Sequence, residues 1–242
     1  MSGHSKWNNI KGRKEKSDAQ RGKIFTKLGR ELLMAVKSGG PDPASNSKLR
    51  DVIAKCKSNN MPNDNIERSI KKASGEDSNI TYEEITYEGY GPSGVALMIN
   101  VTTDNRNRTA GEIRHILDKF KGNLGTTGCV SYLFNKKGVI IIEKESNTIG
   151  EEDLLILSLD LGAQDLETSD EFYEMTTNPE DFSKVREGLE KNNINILEAD
   201  LEMVPTSTVK LNDESTKWME LIIEKLEELD DVADVYHNWE EE

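Results

Sequence analysis

"GVALMINVTTDNRNRTAGEIRHILDKF", residues Gly94–Phe120, changes its period half-way along. Val95, Leu97, Ile99 and Val101 alternate with Ala96, Met98 and Asn100, which is the two-residue repeat of a strand. Thr109-x-x-Glu112 then has capping-box spacing, and Ile113, Ile116, Leu117 and Phe120 recur at helical intervals behind it. A strand feeding an amphipathic helix predicts an α+β unit, because each element has one apolar face and needs the other to cover it.

Towards the N-terminus the pattern is helical throughout. Ile24, Leu28, Leu32 and Val36 recur every fourth residue, with Ser17 or Asp18 as a cap, and "SGGPDP" stops that helix. Leu49, Val52, Ile53 and Cys56 form a second stripe, and Ile66, Ile70 and Ala73 a third after a cap at Asn63. Three short helices with one stripe each predict a small bundle preceded by a basic arm, Met1–Lys16.

Towards the C-terminus the elements alternate. Glu84–Glu88 reads as a strand joined to the next through "GYGPSG", a hairpin turn that lacks the Lys-Ser/Thr of a phosphate loop. "GNLGTTG" ends the helix and Cys129–Phe134 reads as a further strand. Val139–Glu143 is a strand, and Thr148-x-x-Glu151 caps a helix that runs to Leu161 with Gly162 at its end. Ala163–Glu167 and Glu171–Thr176 form a hairpin, Asn178-Pro179 opens a helix, and Leu197–Met203 alternates as a last strand. That order is βαββαβ, the ferredoxin-like arrangement. A helix with Trp218, Ile222, Leu226 and Leu229 and a strand at Val232–His237 remain, too little for a core of their own. Joined to 79–134 they complete a second α+β unit. The predicted fold is therefore α+β: an N-terminal three-helix bundle (1–78), then two ferredoxin-like α+β domains, with 135–206 inserted into a discontinuous domain made of 79–134 and 207–242.

Charge is divided unevenly. Residues 1–78 hold 17 Lys and Arg against 9 Asp and Glu, while the whole chain carries a formal charge of -14. An acidic body repels polyphosphate, so a nucleic-acid contact belongs to the basic third; docking of the basic head on its own acidic body is the structural alternative. No apolar run reaches the ~20 residues of a membrane span. Two isolated cysteines, Cys56 and Cys129, fit a reducing cytoplasm, and 35% hydrophobic with 31% charged residues fits a soluble globular protein, expected to be a monomer.

Catalysis finds no constellation. His4, His115 and His237 are scattered, neither cysteine has a metal-ligand neighbour, and the carboxylates are spread over helix faces, so no enzyme activity, metal or cofactor is expected. "TTDNRNRT" places Arg106 and Arg108 near a helix N-terminus, where they could receive a phosphate; an ordinary strand-to-helix loop reads equally well.

"GHSKWNNIK", "RGKIFTKLGREL", "NMPNDNIERSIKKASGE", "YEGYGPSGVA", "TDNRNRTAGEIRHIL" and "GNLGTTGCVSYLF" together resemble the YebC/PmpR family, which includes the mitochondrial translational activator of cytochrome oxidase. The likeness is strongest over residues 3–134; Gly12, Lys14 and Lys16 depart from it while keeping the charge. It implies three domains and a regulator of gene expression, either a DNA-binding transcription regulator or a factor on ribosomal RNA that eases translation through proline runs. A protein-interaction scaffold is the alternative of another class. The candidate phosphate contacts are Lys6, Lys11, Arg13, Lys14, Lys16, Arg21, Lys23, Lys27 and Arg30, together with Arg106 and Arg108. Trp7 sits among them and either stacks on a base or packs on the bundle beside Ile10. The second helix carries Lys48, Arg50, Lys55 and Lys57 without a helix-turn-helix pattern.

Overall fold

The computed structural model describes residues 18–75 and 81–240. Helices come first: α1 (Asp18–Gly39), α2 (Ser47–Ser58) and α3 (Asn63–Ser74). Then follow β1 (Glu83–Tyr90), β2 (Ala96–Thr103), α4 (Arg106–Lys119), β3 (Asn123–Leu124), β4 (Phe134–Glu143), α5 (Glu151–Leu161), β5 (Asp165–Thr168), β6 (Phe172–Thr177), α6 (Phe182–Lys191), β7 (Glu198–Pro205), α7 (Asp213–Glu227) and β8 (Val232–His237). The class is α+β, as expected. The described residues form two compact units, 18–34 with 75, 81–135 and 203–240, and 35–74 with 136–202. The α1 helix therefore gives its first turns to one unit and its last to the other.

The first unit is built on a sheet ordered β3-β1-β2-β8. β1 and β2 form an antiparallel hairpin from Glu83↔Thr103 to Tyr90↔Ala96, and β8 pairs antiparallel on the far side of β2. The turn between β1 and β2 needs positive φ at Ser93 and Gly94, the turn chemistry that "GYGPSG" suggests. Val95, Leu97, Ile99 and Val101 pack with Ile113 and Leu117 of α4 and with Met219, Ile222 and Leu226 of α7. The other face of β2 is buried as well: Ala96 and Met98 lie against Val130 and Phe134.

The second unit has a sheet ordered β5-β6-β4-β7, in which the first strand of the βαββαβ run sits centrally beside the third. Ile140 and Ile142 of β4 and Tyr173 and Met175 of β6 pack against Leu154 of α5 and Phe182, Val185 and Leu189 of α6. The α2 helix joins this unit through Asp51, which accepts from Ser183 Oγ at 2.5 Å and from Arg186 Nε at 2.9 Å.

Several expected element ends move. The α4 helix opens at Arg106 with Asn105 as its cap, whose side chain accepts from Arg108 N, so Thr109 is a buried interior residue and not a cap. The α5 helix is preceded by Gly150 with no side-chain cap, so the Thr148 box is not used. Asn178–Asp181 is a turn closed by Asp181 N on Asn178 O, and α6 starts at Phe182. Cys129–Phe134 is not a strand: Ser131–Leu133 is a 3-10 turn, and β4 runs unbroken from Phe134 through the expected 139–143 strand. The cause is Glu88. Its carboxylate takes the N–H groups of Gly128, Val130 and Ser131, which are then lost to any ladder.

Candidate nucleic-acid interface

The basic face of α1 is positioned from its own first unit. Leu28 and Leu32, one turn apart, are buried, and Lys23, Lys27 and Arg30 reach the end of α7 and the start of β8. Lys23 Nζ donates to Glu228 O at 3.3 Å and Lys27 Nζ to Glu227 O at 2.7 Å. These carbonyls end α7, where the unpaired C=O groups and the helix dipole favour cations.

Arg30 goes deeper. Its Nη1 donates to Asp231 Oδ1 at 2.8 Å, to Asp230 O at 2.5 Å and to Thr102 O at 3.3 Å. Asp231 is 5% exposed and is the hub of the region. Its Oδ2 accepts from Arg108 Nη2 at 2.5 Å, from Thr109 Oγ1 at 2.7 Å and from Thr103 Oγ1 at 3.0 Å. Burial works to raise the Asp231 carboxyl; the donors from Arg108, Thr109, Thr103 and Arg30 outweigh it and hold the group below its ordinary value.

This geometry sorts the expected contacts. Arg108 is turned to Asp231 and, at 2.9 Å, to Asp104, so the α4 N-terminus is an ordinary strand-to-helix loop with its cap and its guanidinium already satisfied. Arg30 and Arg108 hold α1 and α4 to one carboxylate. Arg21 and Arg106 stand exposed. Lys6, Trp7, Lys11, Arg13, Lys14 and Lys16 lie outside the described residues. In the second unit, Arg50 Nε donates to Glu187 at 2.7 Å and Lys55 pairs with Asp200 at 2.5 Å, so both serve the fold. Arg50 also lines a 550 Å³ groove of mixed charge with Lys184, Lys191 and Glu180.

Sequence reasoning passed over two features. Arg68, Lys71 and Lys72 form an exposed basic face on α3, and their i, i+3, i+4 spacing was legible as such. Tyr132 is 72% exposed on the turn before β4, where a strand was expected to alternate its side chains. Among the described residues, no group of three or more His, Cys, Asp or Glu is placed to hold a metal ion. No described helix is long and apolar enough to cross a membrane.

Residues 5–76 match the TACO1/YebC protein N-terminal domain, and residues 82–239 match the TACO1/YebC second and third domain. A protein of Acetivibrio thermocellus named "Probable transcriptional regulatory protein" is 62% identical over 240 residues, 99% of each chain. One of Ruminiclostridium cellulolyticum with the same name is 63% identical over 243 residues, covering 100% of this chain and 98% of its own. The crystal structure of a conserved hypothetical protein from Aquifex aeolicus superposes with a TM-score of 0.83 at 46% identity, covering 93% of this chain and 92% of that one.

Proposed function

This chain belongs to the TACO1/YebC family, and from that premise we propose that it is a transcriptional regulatory protein that acts by binding DNA through its basic N-terminal third. The observation that carries the regulatory reading is end-to-end identity of 62–63% with relatives named as such. The charge division supports the polymer: 17 of the 31 Lys and Arg fall in residues 1–78. The arm, from Lys6 to Lys16, supplies phosphate contacts that bind by releasing counterions and read no sequence. Exposed Arg21 and Arg106 are the further contacts of this scheme, while Lys23, Lys27 and Arg30 fix α1 to the end of α7 and the start of β8 and Arg108 ties α4 to Asp231. Nothing in this scheme requires a metal, a cofactor or a chemical step.

The test is the salt dependence of duplex binding. Replacing Lys11, Arg13, Lys14 and Lys16 together by Gln is expected to weaken binding at low salt. It should also flatten the slope of log affinity against log salt by about 3–4, since each lost contact removes ~0.9. The thermal melt should be unchanged, because exposed charges contribute little to stability. Equal affinity and equal slope in wild type and variant would dismiss the arm as the contact.

A further inference from the structure

We propose that Tyr132 is a stacking platform for an unpaired base of the nucleic-acid partner, and that the loop between β3 and β4 is built to hold its ring in the open. The proposal rests on the nucleic-acid reading above. Tyr132 is the most exposed large apolar side chain among the described residues, at 72%. Everything beneath it is fixed. Glu88, 5% exposed, accepts from Gly128 N at 2.7 Å, Val130 N at 2.8 Å and Ser131 N at 2.9 Å. Tyr90 Oη donates to Cys129 O at 2.9 Å, and Thr206 donates to Leu133 O from both its N and its Oγ1. Val130 and Phe134, on either side of the ring, are anchored in the cluster with Ala96 and Met98. Folding gains nothing from showing an aromatic ring to water at the tip of so constrained a loop. A ring already held in place loses little freedom when a flat ligand stacks on it.

Charge selects the partner. Residues 119–142 contain Lys119, Lys121, Lys136 and Lys137 and no Asp or Glu, the longest carboxylate-free run in a chain with 45 acidic residues. A polyphosphate approaching this loop meets no carboxylate of its own segment. Thr126 and Thr127 are exposed beside it as hydroxyl donors. In space Lys121 is paired with Glu214 at 2.6 Å, and the Glu88 carboxylate lies buried under the loop on three backbone donors; the exposed ring, the hydroxyls and a segment with no carboxylate of its own match the sequence-tolerant recognition of single-stranded nucleic acid, DNA or RNA.

The experiment uses the full chain and labelled oligonucleotides: single-stranded DNA, single-stranded RNA and duplex DNA, titrated at several salt concentrations. Tyr132→Ala and Tyr132→Leu are expected to weaken single-strand binding roughly 5- to 100-fold. Tyr132→Phe should bind as wild type, and the salt slope should not change, since the ring releases no counterions. Duplex affinity should stay within about twofold. The single strand that shows the larger loss identifies the source of the base. Unchanged single-strand affinity in Tyr132→Ala overturns the proposal, as does an equal loss on duplex. Unchanged oligonucleotide affinity with loss of a protein partner would assign the ring to a protein surface and also overturn it. A wild type that binds none of the three polymers overturns the nucleic-acid reading itself; wild-type binding with an indifferent Tyr132→Ala overturns this inference alone.

Discussion

Asp231 joins three elements through one side chain: α1 by Arg30, α4 by Arg108 and Thr109, and β2 by Thr103. A carboxylate at 5% exposure persists only because each oxygen is met by charged or hydroxyl donors. Asp231→Asn keeps the shape but faces guanidinium donors with an amide, and removing one partner of a buried pair costs about 3 kcal/mol where the others retain some access to water. Because the folded carboxyl titrates below its ordinary value, its contribution is complete above the unfolded value, ~3.9, and is lost as the pH falls through the lower folded one. The variant should therefore melt well below wild type at neutral pH, and the gap should close in acid. A gap that persists unchanged down to pH 2–3 would separate Asp231 from the acid limb. Glu88 behaves alike for a different reason: burial pushes its carboxyl up, and the backbone donors of Gly128, Val130 and Ser131 bring it below the ordinary value. Glu88→Gln should cost roughly 2 kcal/mol and speed hydrogen exchange at those three amides selectively. Uniform protection across the loop would show that Glu88 does not pin it.

At the scale of elements, sequence period read the types and misread the ends. Ile24 to Val36, Leu49 to Cys56 and Val95 to Val101 gave their helices and strand because apolar spacing is a local signal that burial then uses directly. Caps failed where a longer-range demand competed. Thr109 has a capping residue's chemistry, yet its hydroxyl is spent on Asp231 from inside the helix. The Cys129–Phe134 segment has a strand's composition, yet a glutamate about forty residues earlier takes its N–H groups. Asn46, which caps α2 through Leu49 N while its amide donates to Ala35 O and Gly40 O, links two helices in a way no local pattern announces. Of the candidate site, the concentration of charge was legible, and the commitment of Arg30 and Arg108 to a carboxylate over 120 residues away was not. Gly188 shows the same limit. In an isolated helix Gly→Ala gains up to about 1 kcal/mol. Here a Cβ would sit 2.3 Å from Leu161 Cδ2, 3.0 Å from Cδ1 and 3.1 Å from Cγ, so the Leu161 side chain or the α5–α6 packing must give. Overpacking of this kind costs about 1–3 kcal/mol, so Gly188→Ala should lower the melting temperature; a rise would mean Leu161 simply rotates away.

For the whole molecule, the decisive fact is that each sheet buries apolar side chains on both of its faces. In the second unit, α5 and α6 cover Ile140, Ile142, Tyr173 and Met175. Strand alternation puts Val139, Ile141 and Phe172 on the opposite face, and these too are buried, at 2%, 0% and 3% exposure. A βαββαβ run has two helices for one face, so the burial of the other face is not the work of α5 and α6. Taken alone, the closed strand order of 135–206 predicts that this segment folds when excised. The burial argues otherwise. Exposing three large apolar side chains forfeits ~1.5–3 kcal/mol each, about 4.5–9 kcal/mol in all. A domain of this size has only ~0.05–0.15 kcal/mol per residue, roughly 4–11 kcal/mol. The fragment also loses Asp51, partner of Arg186 and Ser183. Isolated 135–206 is therefore expected to show helix and strand by far-UV circular dichroism, to bind a hydrophobic dye and to melt without a cooperative transition. Replacing Ile141 and Phe172 by Thr in the fragment should reduce dye binding, since the newly wetted face would then be polar. A sharp, dye-free melt of the unmodified fragment would establish that α5, α6 and the sheet suffice, and that the buried second face is not what stability requires.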